Sequence, residues 1–260
     1  MQGATSKKTY SIIMLFITSA VLTQPVFAKT VNFAAGGDIN YKQAKIGFIN
    51  RAGTQVATRE PNLLNLNAFF AMAVKRFYFT INADTAIVPD ESTTTQNNND
   101  TKESIERTEG ALTAGFNITK GFSLFGGFFY GDTSRTVTVT NSATDATITD
   151  DTMTMSEYGP FLGLNYTFYF KNGMSLGFNG AYALLSGEQS WGQTGADPEV
   201  TYEGNAKGTS VGIKFSGPMS RIASYYVGYK TTQYSFETDD SRFKTDEDFQ
   251  VFSAGVTFYF

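Results

Sequence analysis

Between Phe249 and Phe260 every second residue of one set is apolar: Phe252, Ala254, Val256, Phe258 and Phe260. The residues between them, Val251, Ser253, Gly255, Thr257 and Tyr259, are mostly small or polar. Successive side chains point to opposite sides only in an extended strand, so a period of two defines a β-strand with one apolar face. The pattern recurs along the chain. Leu64, Leu66, Ala68, Phe70, Met72 and Val74 share a face, and so do Phe77, Phe79, Ile81 and Ala83, opposite Tyr78, Thr80, Asn82 and Asp84. Further runs centre on Leu112–Ile118, Tyr158–Phe170, Met174–Leu184, Val211–Phe215 and Ala223–Tyr229. Around Phe122–Tyr130 both faces carry aromatics and glycines, and the face assignment is open there. This gives nine strands. A tenth is expected between Val31 and Asn50, where alternation is weaker.

The connections alternate in length. Short turns are expected at Lys75-Arg76, Thr119-Lys120-Gly121, Lys171-Asn172-Gly173 and Gly217-Pro218-Met219-Ser220. Asn-Gly is the strongest of these hairpin signals, because both positions tolerate a positive φ. Long polar loops are expected at Asn50–Pro61, Pro89–Glu106, Asp132–Ser156, Ser186–Asn205 and Glu237–Asp248. The second reads as mobile, with its run Thr93 to Asp100. In the third, the β-branched alternation Thr136-Val137-Thr138-Val139-Thr140 predicts that a hairpin continues outward. The fourth carries the only Trp, Trp191, and the fifth is acidic at Asp239, Asp240, Asp246, Glu247 and Asp248.

The N-terminus carries Lys7 and Lys8, an apolar stretch Ile12–Leu22, and small residues before Ala28. That is the layout of a signal peptide, residues 1–28, cleaved after Ala28, with residues 29–260 as one domain. The alternative is a buried N-terminal helix. The apolar stretch is short of the roughly 20 residues that a spanning helix needs. If the chain is integral to a membrane it must therefore be a closed barrel, since only helices and barrels satisfy every backbone group in lipid. Alternation alone leaves a soluble barrel or sandwich as the other architecture. The polar face is rich in Gly, Asn, Ser and Thr and poor in Lys and Glu, which suits a narrow lumen better than a solvated surface.

A final strand ending on an aromatic residue, with Phe252, Val256, Phe258 and Phe260 on one face, resembles the C-terminal assembly signal of bacterial outer-membrane β-barrel proteins. The resemblance implies an all-β fold, a transmembrane antiparallel up-and-down β-barrel. It also implies the outer membrane of a Gram-negative bacterium, with the barrel-assembly machinery, membrane lipid and lipopolysaccharide as partners. Barrels of that class have even strand numbers, so about ten strands are expected, with eight or twelve as alternatives.

The chain has no His and no Cys. Thiol chemistry and disulfides are excluded. The omptin proteases, phospholipase A, the lipid A palmitoyltransferase and the lipid A deacylases, the familiar barrel enzymes of that membrane, use a catalytic His. We therefore expect no enzyme, no catalytic residue, no metal and no cofactor. Loss of residues 1–28 would take away two lysines and no acids, moving the formal net charge from −4 to −6, which disfavours nucleic acid. By parity Asp84, Arg107, Glu109, Lys214 and Lys230 point inward. They form either a constriction that selects small solutes by charge or an ion-paired plug. The expected functions are a narrow porin-like channel, or a closed barrel whose loops serve a structural or surface-interaction role with an extracellular ligand.

Overall fold

The computed structural model describes residues 31–49, 55–96, 99–144, 146–193, 200–239 and 244–260. The expected signal peptide and its cleavage point lie outside the described residues. The chain forms twelve strands: β1 (Val31–Ile49), β2 (Gln55–Arg59), β3 (Asn62–Val74), β4 (Phe77–Val88), β5 (Asp90–Gln96), β6 (Asn99–Asn117), β7 (Phe122–Asn141), β8 (Ala146–Tyr169), β9 (Ser175–Gln193), β10 (Val200–Pro218), β11 (Ala223–Thr238) and β12 (Lys244–Tyr259). Ten of them, all except β2 and β5, form one continuous antiparallel ring in which neighbours in sequence are neighbours in space. The ring closes where β1 pairs with β12, from Ala34 opposite Tyr259 to Ile46 opposite Glu247. This is the expected up-and-down barrel of ten strands.

The two extra strands lie where loops were expected. β2 folds back onto the end of β1. β5 pairs with the start of β6, from Asp90 opposite Ile105 to Gln96 opposite Asn99. The segment Pro89–Glu106 was expected to be mobile, and its described part is a β-hairpin instead. Its threonines are β-branched and suit a strand, the signal already visible in the third loop, where β7 and β8 do run on as expected. At the opposite end the short turns fall as expected except the last. Gly217 and Pro218 belong to β10, and the chain reverses over residues 219–222. Lys75 adopts φ 57° and Gly173 φ 81°, the left-handed conformations that tight hairpins require.

The outer surface carries the apolar set. Leu66, Phe70, Phe77, Phe79, Ile81, Leu112, Leu162, Leu164, Val211 and Val227 are all exposed. The open face assignment of β7 resolves in the same way: Leu124 and Phe128 point outward and are exposed, while Ser123, Phe125 and Phe129 point inward and are buried. Aromatics edge this belt. Tyr41, Tyr158, Tyr182 and Phe252 stand along its loop side, with Tyr229 packed 4.9 Å from Phe252 between ring centroids. Phe33, Phe77, Phe168 and Phe258 stand along the turn side. Beyond Tyr158 the outward residues of β8 turn polar, at Ser156, Thr154 and Thr152. β8 has 24 residues, about twice the 9–11 needed to cross hydrocarbon. The strands β5 to β10 therefore stand well clear of the belt on the loop side.

An apolar band of this extent around a closed barrel is the outer surface that membrane barrels present to hydrocarbon. The expected consequence is that Leu164→Arg, near the middle of the belt, costs ~2–4 kcal/mol of folding free energy in lipid. Denaturant titration of the barrel in vesicles checks it, and an unchanged midpoint would reverse the face assignment.

Candidate lumenal ion network

The inside of the barrel holds the polar set. Asp84 on β4 is completely buried and is held from three directions. Lys42 on β1 donates from Nζ to Oδ1 at 2.7 Å, Asn40 donates from Nδ2 to Oδ2 at 2.6 Å, and Asn65 on β3 also donates to Oδ1. Lys42 donates a second bond, 2.8 Å, to Oε2 of Glu109 on β6. Glu109 in turn accepts from Nε of Arg107, two residues before it on the same face.

Arg107 is the hub. Its Nη2 donates to Oε2 of Glu157 on β8 at 3.1 Å, and its Nη1 donates to Oγ1 of Thr133 on β7 at 2.5 Å. Nη1 also lies 3.6 Å from Oε2 of Glu247 on β12. The guanidinium stacks over the Phe249 ring with Cζ 4.4 Å from its centroid. Only 1 % of Arg107 is exposed. A Cβ on Gly131 would fall 2.8 Å from Nη2 of Arg107, so the glycine leaves room for the planar fork. A guanidinium suits this position: its five donors lie in one plane and it keeps its charge when buried.

Apolar side chains fill the bore beside and beyond this layer. Ile46, Ile105, Met153, Met155, Leu185, Phe236 and Phe249 belong to one buried cluster inside the ring, and Trp191 packs against its edge from β9. Trp191, expected in a loop, is thus strand-borne and packs inward. On the turn side, Asp38 accepts from Tyr226 and, at 2.7 Å, from Nδ2 of Asn67, while Lys214 lies over the Tyr226 ring at 3.9 Å.

All five charges expected in the lumen are there, but not as one group. Asp84, Arg107 and Glu109 belong to the network. Lys214 sits apart with Tyr226, and Lys230 lines a cavity on the β9–β11 side. The sequence reading missed Lys42, Glu157, Glu247 and Asp38. Glu247 was expected in a solvated acidic loop, yet it is fully buried while Asp246 and Asp248 point outward. Carrying the parity of Phe249 two residues back would have found it. Lys42 and Asp38 lie on β1, where outward Ala35, Gly37 and Gln43 blur the alternation. Of the expected assembly-signal residues, Phe252, Val256 and Phe258 lie on the outer face of β12, with Phe252 and Phe258 half exposed, and Phe260, just past the strand, is more exposed still.

Farther out, above the belt, Glu103 accepts from Nε of Arg59 on β2 at 2.7 Å and from Nε of Arg135 on β7. Partial burial pushes the Glu103 carboxyl upward, but the two arginines outweigh it and hold it below its ordinary value of 4.5. A carboxyl lowered on folding stabilises the fold above its unfolded value and loses that contribution as the pH falls through the folded value. Amide-exchange protection of β5 and the start of β6 is therefore expected to fall on acidification below about 4.5, and Glu103→Gln should flatten that dependence. At the hub, Arg107→Met leaves three carboxylates without their shared cation. We expect a loss of about 3–5 kcal/mol, the cost of breaking a buried pair, read by denaturant unfolding. A loss under 1 kcal/mol, the scale of an exposed pair, would show that the network is hydrated.

No family model matches the sequence, and no curated protein sequence matches it. Solved structures do. The outer membrane protease OmpT from Escherichia coli superposes with a TM-score of 0.63 at 11 % identity, covering 88 % of this chain and 96 % of that one. The translocator domain of the autotransporter NalP from Neisseria meningitidis aligns with a TM-score of 0.43 at 11 % identity, covering 87 % and 88 %. At such identity, similarity to OmpT establishes a shared barrel fold and nothing about activity.

Proposed function

We propose that this chain is an integral outer-membrane β-barrel whose lumen is closed, and that it works without catalysis through the hairpins standing beyond its apolar belt. The observation that carries this reading is the Arg107 layer. One guanidinium, 1 % exposed, reaches carboxylates on β6, β8 and β12, and the lysine bonded to one of them stands on β1. A bore crossed by such a layer and filled beside it by Ile46, Ile105, Met155 and Phe236 leaves little room for a hydrated ion. The outward apolar belt supports the membrane assignment, and the fold shared with OmpT supports the outer membrane. The lack of any His in the sequence supports a non-enzymatic role at neutral pH. In this reading the N-terminal residues 1–28 direct export, the terminal strand engages the barrel-assembly machinery, and lipid with lipopolysaccharide surrounds the belt. The hairpins β5–β6, β7–β8 and β9–β10 offer β-branched and polar faces to an extracellular partner.

The second reading, a narrow porin-like channel, draws on one feature. Inward-facing Asn179, Ser210, Lys214 and Lys230 stay partly exposed, unlike the residues opposite them on β3 and β4. Conductance in a planar bilayer separates the two, with folding verified by the retarded migration of unheated barrel in electrophoresis. We expect no discrete steps from the native barrel. Reproducible steps that change when Lys230 or Asp84 is replaced would establish the channel and refute the closed lumen.

A further inference from the structure

Every charged side chain in the four turns is a base. The chain reverses at residues 75–76, 118–121, 170–174 and 219–222. These turns carry Lys75, Arg76, Lys120, Lys171 and Arg221, all exposed, and no Asp or Glu. They join β3 to β4, β6 to β7, β8 to β9 and β10 to β11, so the bases are spread around the rim rather than gathered on one side. Each turn is short, and backbone bonds such as that from the Phe170 N–H to the Met174 carbonyl, 2.9 Å, close it directly onto the wall. The bases therefore stay close to the last residues of the belt. Apolar side chains stand among them: Ile118 near Lys120, Phe170 beside Lys171, and Met219 and Ile222, 61 % and 63 % exposed, on either side of Arg221. Between the turns and the loop-side tyrosines the outward side chains are uncharged. Above the belt the charges are mixed, and bases meet acids there: Lys45 lies 3.8 Å from Glu60, and Lys102 lies 3.2 Å from Glu91.

We infer that the turn end of the barrel is a contact ring for anionic phospholipid, in which these five bases bind the headgroup phosphates of the leaflet on that side. The inference rests on the membrane reading proposed above, in which short turns face the periplasm. The order of chemistry down the wall matches half a bilayer: Phe77 and Phe168 at the edge of the belt, then Ile118, Phe170 and Ile222, then the bases. An exposed apolar side chain next to a base is unfavourable against water alone. It is favourable at a headgroup boundary, where the apolar chain enters the acyl region and the base reaches up to phosphate. A soluble acidic partner would pair the bases but would not account for the exposed apolar side chains between them. Each base close to an anionic lipid surface strengthens contact about fivefold. No carboxylate in the turns competes for the bases. A zwitterionic headgroup offers the same phosphate with its own ammonium beside it, so net charge sets the preference.

The test uses the full barrel in phosphatidylcholine vesicles with a trace of chain-labelled spin probe, either phosphatidylglycerol or phosphatidylcholine. Electron spin resonance reads the fraction of each probe held motionally restricted at the barrel. Phosphatidylglycerol is expected to be preferred about threefold, the average of a fivefold contact in one leaflet and none in the other. Lys75→Asn, Arg76→Gln, Lys120→Gln, Lys171→Gln and Arg221→Gln combined should bring the ratio to one; Asn at position 75 suits the positive φ there. If that variant does not fold, salt at about 1 M, which shortens screening to about 3 Å, makes the same test on the native barrel and should also abolish the preference. Lys45→Gln, Lys207→Gln and Lys244→Gln combined, on the loop side, should leave it intact, and its loss there would overturn the assignment to the turns. Equal restriction of the two probes would overturn the proposal, and binding of soluble polyglutamate to the native barrel but not to the five-residue variant would then assign the rim to an acidic polypeptide. Restriction of neither probe would instead overturn the membrane reading itself, so the two failures are distinguishable.

Discussion

Everything in this molecule depends on the pairing of β1 with β12. A strand at the edge of a sheet exposes a row of unpaired N–H and C=O groups, and in hydrocarbon no water satisfies them. The ladder from Ala34–Tyr259 to Ile46–Glu247 removes both edges at once. It also creates an inside. Once the ring is closed, each strand has one face in a confined bore and one facing outward. The period-two pattern must then place its apolar members outside and its polar members within. The inversion relative to a water-soluble protein is what closure in the proposed lipid setting requires, and the belt edged by Tyr158, Tyr182 and Phe252 matches it.

A narrow bore imposes a second requirement. Ten strands enclose a space that side chains largely fill, so polar groups placed there must satisfy one another. Lys42, Asp84, Glu109 and Arg107 pair in this way across strands far apart in sequence, with Lys42 and Glu109 separated by 67 positions. Breaking one member leaves its partner buried with an uncompensated charge, which is costly. The network thus fixes the relative positions of β1, β4, β6 and β8 from the inside while the ladder fixes them around the wall. Glycines make the packing feasible. Gly131 leaves space for Arg107, and Gly208 lies against the Tyr234 ring where a Cβ would collide. The unfilled space left beside β9 and β10 comes from small inward residues with no long chain opposite to replace them.

Much of this was legible in the sequence because period two is a local property. The faces of β3, β4, β8 and β12 are set by residues adjacent in the chain, and Leu164 or Phe79 shows its orientation from its neighbours alone. The lumenal position of Asp84, Arg107, Glu109, Lys214 and Lys230 followed by counting. Their partners did not. That Arg107 meets Glu157 and Glu247 depends on strand register and shear, which join residues 50 and 140 positions apart and leave no local trace. Composition misled at two places. The Thr- and Asn-rich stretch 93–100 looked like a mobile loop, although its consecutive threonines Thr93, Thr94 and Thr95 pair with β6. The acids near residue 247 looked solvated as a group, although parity sends Glu247 inward and its neighbours out. The cavity was invisible because a void is made by what is missing from several strands at once.

Lipid-to-methyl NOEs, measured with methyl-labelled barrel in nanodiscs, test the central claim without altering a residue. The account predicts cross-peaks from acyl-chain protons to Ile39, Ile81, Leu112, Leu162, Leu164, Val211, Ile213 and Val227, all exposed on the outer wall. It predicts none to Ile46, Leu63, Ile105, Met155 or Leu185, all buried in the bore. Acyl-chain contacts to the second set, or water contacts in place of lipid at the first, would contradict a barrel whose outer face is apolar and whose bore is closed to lipid.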